Sequence, residues 1–283
     1  HLRFAHYLQE SGYKVTIFAS GNLRQRGEDI VDNGKYFKSV KYGEYNFIHI
    51  KVRRYKGNGL DRMFSIFQFA WRIFYLRKQF DKPDIILHNI HAPFDYPVLW
   101  CSKKLKSKYI VEAWDLWPEG FVGFGSISKR NPFLKFAYIA ERKMYENAKK
   151  IIFTFEGGID YLRKKNWTNK TGGKIEEEKV HYINNGISIE DFNNNKTQFK
   201  LNDEDIESPN TFKIIYMGSI NLVNDVIQLI DAVYLLKEKE DIKLYILGLT
   251  CLLVFGFSFY YSDQSLAFDM GLERHNMTPY EIV

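Results

Sequence analysis

The chain has 283 residues, 45% of them apolar, enough to bury one large core or two smaller ones, which excludes a disordered class. Cys101 and Cys251 stand far apart with no Cys-x-x-Cys or metal-ligand spacing, which excludes a disulfide framework and fits a reducing compartment. The net charge of +6 asks for an anionic partner, but the aromatic residues fall inside apolar periodic segments and do not alternate with Lys and Arg as a base-stacking strip would, so nucleic acid is not expected.

The first element is a helix, with Leu2, Ala5 and Leu8 on one face and Gly12 as its stop. A doubly wound sheet normally places a strand and a Gly-rich turn before such a helix, since that turn presents backbone N–H groups to a phosphate. From Gly12 to about Phe155, apolar strand-like runs alternate with helical ones, the pattern of a parallel sheet covered on both faces. Strands are predicted at 14–19, 47–52, 84–89, 108–113 and 150–155. Between the second and third lies a long helix over 60–80, where Leu60, Met63, Phe64, Phe67, Trp71 and Phe74 recur at helical spacing beside Arg62, Arg72, Arg77 and Lys78. Asn131 and Pro132 read as N-cap and first residue of a helix running to about Ala148.

A strand at 179–183 follows, then Asn184-Asn185-Gly186 as a turn whose glycine permits positive φ. Residues 193–211 are dominated by Asn, Asp, Glu, Lys and Ser and read as a linker. Strand, helix and strand at 212–218, 222–240 and 243–248 open a second domain as one βαβ unit, too small to cover its own sheet. Leu244 to Ser262 carries no charged side chain and reaches the roughly 18 residues of a membrane span. Leu244 to Gly248 nevertheless reads as a strand, and Gly256, Ser258, Tyr260 and Tyr261 suit lipid poorly. The expected architecture is thus an α/β doubly wound parallel sheet over 1–192, a linker over 193–211, the start of a second Rossmann-like domain over 212–248, and an atypical tail over 249–283.

The residues fit for chemistry cluster where predicted parallel strands end, the edge at which such sheets bind ligands. Asp115 and Glu119 can act as base, acid or hydroxyl-binding groups, and Trp114 and Trp117 offer flat faces to a sugar ring. An equally simple reading buries both tryptophans in the core and leaves both acids solvated. His91, on the loop after the preceding strand, can face the same cleft; neither it nor His88 has a metal-ligand partner at suitable spacing. Glu156-Gly157-Gly158 opens a helix after a strand and can hold a phosphate on bare N–H groups, although a glycine pair there is usually only a turn. Phosphate-binding Walker loops, GxSxG elbows and HExxH motifs are absent from the sequence.

His1 to Gly21, Tyr55 to Gly59, Asp115-Leu116-Trp117-Pro118-Glu119, His181 to Phe192 and Tyr216 to Ala232 follow one another in an order and spacing that is specific when taken together. Together these segments resemble glycosyltransferase family 4, retaining enzymes of the two-domain GT-B fold, and within it the WbuB-like and CapM-like transferases of bacterial surface polysaccharides. The resemblance covers about residues 1–248. It implies a GT-B acceptor-side domain over 1–192 and a donor domain beginning at 212. It also implies Asp115 as catalytic group, with His91, Trp114, Glu119, Asn185, Gly186, Gly218, Asn221 and Asn224 binding substrate. Trp114 stands where many members have His, while Asn221 and Asn224 stand where Arg and Lys are common, so amides replace two cations expected on the diphosphate.

The resemblance further implies a nucleotide-sugar co-substrate, UDP-linked, with neither cofactor nor metal. It implies a lipid-linked or saccharide acceptor and a cytoplasmic protein peripheral to the anionic inner face of the cell membrane, a setting the basic aromatic helix over 60–80 suits. The family's first strand would precede His1 and its E-x7-E motif would follow Gly248, so the resemblance leads one to expect a chain truncated at both ends. A non-catalytic remnant or binding module of the same fold, and a GT-B sugar-nucleotide epimerase, are the competing readings.

Overall fold

The computed structural model describes residues 2–23, 28–55, 59–125, 127–199, 204–220, 224–239 and 241–247. The chain divides into two compact units, His1–Pro209 and Asn210–Val283.

In the first unit, α1 (Leu2–Glu10) leads into β1 (Thr16–Ser20), followed by a short antiparallel ribbon of β2 (Asn22–Leu23) and β3 (Glu28–Asp29). A hairpin comes next, β4 (Phe37–Tyr42) and β5 (Tyr45–Ile50), with Tyr42 opposite Tyr45. Its two-residue loop places Gly43 at φ +58, a conformation a side chain at Cβ would resist. β5 pairs with β1 in parallel from Thr16 opposite Asn46 to Ser20 opposite Ile50, giving the order β1-β5-β4. The sequence predicted no strand at β4, whose Lys38, Ser39 and Lys41 interrupt the apolar pattern, so one antiparallel strand enters a sheet expected to be all parallel.

The long helix α2 (Leu60–Leu76) ends in a 3-10 turn at Arg77–Gln79 and leads to β6 (Ile85–Asn89). Then follow α3 (Pro97–Leu105), β7 (Lys108–Ala113), α4 (Glu119–Gly123), α5 (Pro132–Asn147), β8 (Lys150–Phe153), α6 (Gly158–Lys164) and β9 (Val180–Tyr182). The strands β6-β7-β8-β9 form one parallel sheet in chain order, the parallel α/β arrangement of a Rossmann-like domain that was expected, with β1-β5-β4 as a separate sheet. α5 begins as its sequence dictates. The Asn131 side chain accepts from the Phe133 N–H at 2.9 Å, and Pro132 fills the first position, where no N–H is required. Leu134, Ala137, Glu141 and Met144, spaced three and four apart, form its buried side.

The core lies against this four-stranded sheet, where Val111, Ile151, Phe153, Leu99, Met144 and Leu162 are almost wholly excluded from solvent. Each such side chain contributes roughly 1.5–3 kcal/mol of burial free energy. The Asn-rich segment read as a linker from 193 instead carries the end of α7 (Ile189–Gln198), whose Ser188 side chain caps it by accepting from the Asp191 N–H at 3.0 Å; a single turn, α8 (Glu204–Glu207), follows.

The second unit contains β10 (Phe212–Met217), α9 (Val226–Tyr234) and β11 (Ile242–Leu247), with β10 and β11 parallel from Phe212 opposite Ile242 onward. The helix is shorter than the 222–240 predicted. Leu244 to Leu247 belongs to a strand, as expected, while Gly248 and the tail over 249–283 lie outside the described residues. Among those described, no helix is long and apolar enough to cross a membrane.

Candidate functional site

Because β6 to β9 are parallel, the loops at 90–96, 114–118, 154–157 and 183–188 all leave the same carboxyl edge of the sheet. His91, Trp114, Asp115, Asn185 and Gly186 lie on these loops, and Glu119 is the first residue of α4.

The loop after β6 is organised around Asp95, which is 3% exposed. Its Oδ2 accepts the backbone N–H of His91, sits 3.1 Å from His88 Nε2 and lies 3.6 Å from His91 Nδ1. His88 Nδ1 is 2.8 Å from the Tyr109 hydroxyl, so the network closes with Tyr109 donating to Nδ1 and the Nε2–H facing Asp95. Burial works to raise the Asp95 carboxyl, but His88 and His91 outweigh it and hold the group well below the ordinary carboxylate range. Asp95 Oδ1 is buried without a hydrogen-bond partner among the described residues. His91 packs edge-on against Trp117, with ring centroids 5.2 Å apart, which ties the loop after β6 to the loop after β7.

Glu119 turns toward the opposite neighbour. Its Oε2 accepts from Lys165 Nζ and from the Tyr138 hydroxyl, both at 2.6 Å, and Lys165 Nζ lies 3.9 Å from the centre of the Tyr138 ring. Partial burial favours the neutral acid, yet these two donors more than offset it and hold the Glu119 carboxyl below its ordinary value. Glu119 lines an open cavity of about 450 Å³ with Leu116, Gly157, Asp160, Tyr161, Lys164 and Lys165. Beneath it, the Tyr161 hydroxyl donates at 2.8 Å to the fully buried Glu141, whose carboxyl burial pushes up to about 8 despite that bond and the nearby Lys165.

Trp114 and Asp115 are both exposed, and Trp117 is buried, so of the two ways to read the tryptophans each describes one. Among the described residues no side-chain hydrogen bond or ion pair engages the Asp115 carboxylate. The structure thus joins His91 to the 114–118 loop through Trp117 and sets Glu119 on the far side of that loop against α6. Asn185 and Gly186 are exposed in a stretch without regular secondary structure, and Gly186 does not adopt positive φ, so the turn expected there does not use its conformational freedom. Gly158 answers to packing: a Cβ there would come within 2.1 Å of the Phe153 ring.

In the second unit, the Gly218 N–H bonds to the Leu247 carbonyl at 3.0 Å. Asn224 Nδ2 donates to the Ser219 carbonyl at 2.7 Å and to the Tyr216 hydroxyl at 3.1 Å, so both residues hold the turn after β10. Asn221 lies outside the described residues.

Sequence reasoning missed Asp95, Lys165, Tyr138, Tyr161 and Glu141. Asp95 had a local signal, since His91 and Asp95 stand four apart; the others meet only through packing of α5 and α6. Among the described residues no group of three or more His, Cys, Asp or Glu side chains is placed to hold a metal ion. The arrangement offers a solvent-facing carboxylate at Asp115, an indole face at Trp114, an imidazole at His91 and ammonium groups at Lys164 and Lys165, groups suited to hydroxyl-rich and anionic molecules.

The family model Glycosyltransferase Family 4 matches residues 2–191, more than half of the chain, and the chain belongs to that family. A comparison with curated proteins finds no match.

Proposed function

We propose that this family member is a retaining glycosyltransferase that moves a sugar from a nucleotide-linked donor, UDP-linked, to a lipid-linked or saccharide acceptor in bacterial surface polysaccharide synthesis, working as a WbuB-like or CapM-like enzyme. In this reading the bond from the anomeric carbon to the diphosphate breaks, a bond to an acceptor oxygen forms, and the acceptor proton is released. The nucleoside diphosphate leaves with the electron pair. Asp115 is the catalytic carboxylate, Trp114 lies along a sugar ring, and His91, held by Asp95, contacts a hydroxyl.

The observation that carries the reading is Asp115 itself: an exposed carboxylate, unengaged among the described residues, at the carboxyl end of β7 in a chain of a transferase family. Glu119 is already bound to Lys165 and Tyr138, so its part is to shape the loop and line the cavity below it. Asn185 and Gly186 stand at the same edge and contribute amide contacts. Gly218, Asn221 and Asn224 shape the donor side, where they act without the two cations common in the family. The reaction needs neither cofactor nor metal, and the protein works at the cytoplasmic, anionic face of the cell membrane. Asp115→Asn tests the assignment: it should lower turnover far more than it weakens donor binding, the signature of a group used mainly in the transition state. Equal losses in both, or none in either, would remove Asp115 from the chemistry.

A further inference from the structure

The cavity between α4 and α6 carries one cation more than its own side chains use. Its volume of about 450 Å³ lies within the roughly 300–1,000 Å³ of small-molecule sites. Leu116, next to Asp115 in the chain, and the buried Tyr161 give it apolar surface, while Glu119, Asp160, Lys164 and Lys165 form polar walls. Most of that charge is compensated. Lys165 lies 2.6 Å from Glu119, and Asp160 lies 3.3 Å from Arg163. Burial pushes the Glu141 carboxyl beneath Tyr161 up to about 8, so the floor stays uncharged at neutral pH. Lys164 is the exception: it is exposed, and its ammonium has no ion pair or hydrogen bond among the described residues. Two acceptors also remain. Both donors to Glu119 converge on Oε2, and Asp160 meets Arg163 through Oδ1, which leaves Glu119 Oε1 and Asp160 Oδ2 open among the described residues.

A ligand that fits these walls carries one negative charge and several hydroxyl groups. One ammonium pairs with one carboxylate, while the open carboxylate oxygens accept hydroxyl protons. A phosphoryl group fits worse, because its charge of about −1.5 to −2 at neutral pH would face Glu119 and Asp160 with a single free cation opposite. A neutral sugar would satisfy the two acceptors but gain nothing from Lys164. We infer that this cavity binds a hexuronate, a sugar bearing a single carboxylate, with that carboxylate on Lys164 and ring hydroxyls donating to Glu119 Oε1 and Asp160 Oδ2. The inference deepens the function proposed above, since it names the class of acceptor sugar, and it rests on that reading only for the bound sugar's part as acceptor.

The test is titration of the purified full chain, followed by saturation-transfer NMR, with the methyl glycosides of glucuronic and galacturonic acid beside those of glucose and galactose. No nucleotide-sugar is present, so binding is read apart from transfer: a uronide that binds without being glycosylated counts against the proposed reaction and not against the cavity's ligand. At least one uronide should bind roughly 5-fold tighter than its neutral counterpart, and high salt should narrow the difference. Lys164→Gln, at an exposed position where circular dichroism should stay unchanged, should bring the two affinities together. Lys164→Arg should keep them apart. Equal affinity within both pairs, binding of neither uronide, or a preference that survives Lys164→Gln would overturn the inference. So would displacement of the uronide by inorganic phosphate at concentrations below those of the uronide itself, which would assign the cavity to phosphoryl groups.

Discussion

Lys165 Nζ lies 2.6 Å from Glu119 Oε2 across 46 positions of sequence, fastening the start of α4 to the end of α6. Since Tyr138 shares the same oxygen, Lys165→Met leaves a partly buried carboxylate with one donor and should cost about 1–2 kcal/mol at neutral pH. The folded Glu119 is more acidic than the unfolded one, so this stabilisation is present above the ordinary carboxylate value of 4.5 and disappears as pH falls through the folded value. Chemical denaturation at several pH values should therefore show wild type and variant converging in acid.

Asp95→Asn is expected to be more severe, because it removes the anion that His88 and His91 face in a buried position. A loss of about 2–4 kcal/mol at neutral pH is expected, narrowing as pH falls below the ordinary aspartate value of 3.8 and the wild-type carboxylate itself becomes protonated. Thermal melts across that range check it.

Glu141 has the reverse sign. The folded carboxyl keeps its proton up to about pH 8, whereas the unfolded one loses it near 4.5, so the native state binds more protons in between and loses stability as pH rises through that window. The slope is about 1.4 kcal/mol per pH unit. Glu141→Gln, which keeps an acceptor for Tyr161, should flatten this decline in urea unfolding between pH 5 and 8.

Gly158→Ala should cost about 1–3 kcal/mol, because the new methyl meets the ring of Phe153, itself 1% exposed. A melting temperature equal to that of wild type would mean that the start of α6 is held more loosely than its geometry indicates.

The strands β6, β7 and β8 were legible in sequence because buried parallel strands are continuous apolar runs. From them alone follows the edge on which His91 and Asp115 stand. The helix at α3 was not legible, since Pro93 and Pro97 break up a short segment whose periodicity spans barely two turns. Periodicity revealed the stripe of Leu60, Phe64, Phe67 and Trp71 but is silent on which way a stripe faces, and the small side of α2 is the one that packs. Nor could any local pattern bring Lys165 to Glu119 or Tyr161 to Glu141, contacts that exist only once α5 and α6 lie over the same sheet.

The central claim is that Asp115 serves sugar transfer from the carboxyl edge of β7. Its most direct measurement is transfer of radiolabel from a panel of UDP-sugars into a lipid extract or saccharide acceptor by the purified chain, wild type beside Asp115→Asn. The account predicts label transferred from one donor by wild type, with transfer by Asp115→Asn reduced roughly 100-fold or more while donor binding is retained. Undiminished transfer by Asp115→Asn, or no transfer by wild type from any donor in the panel, would contradict it.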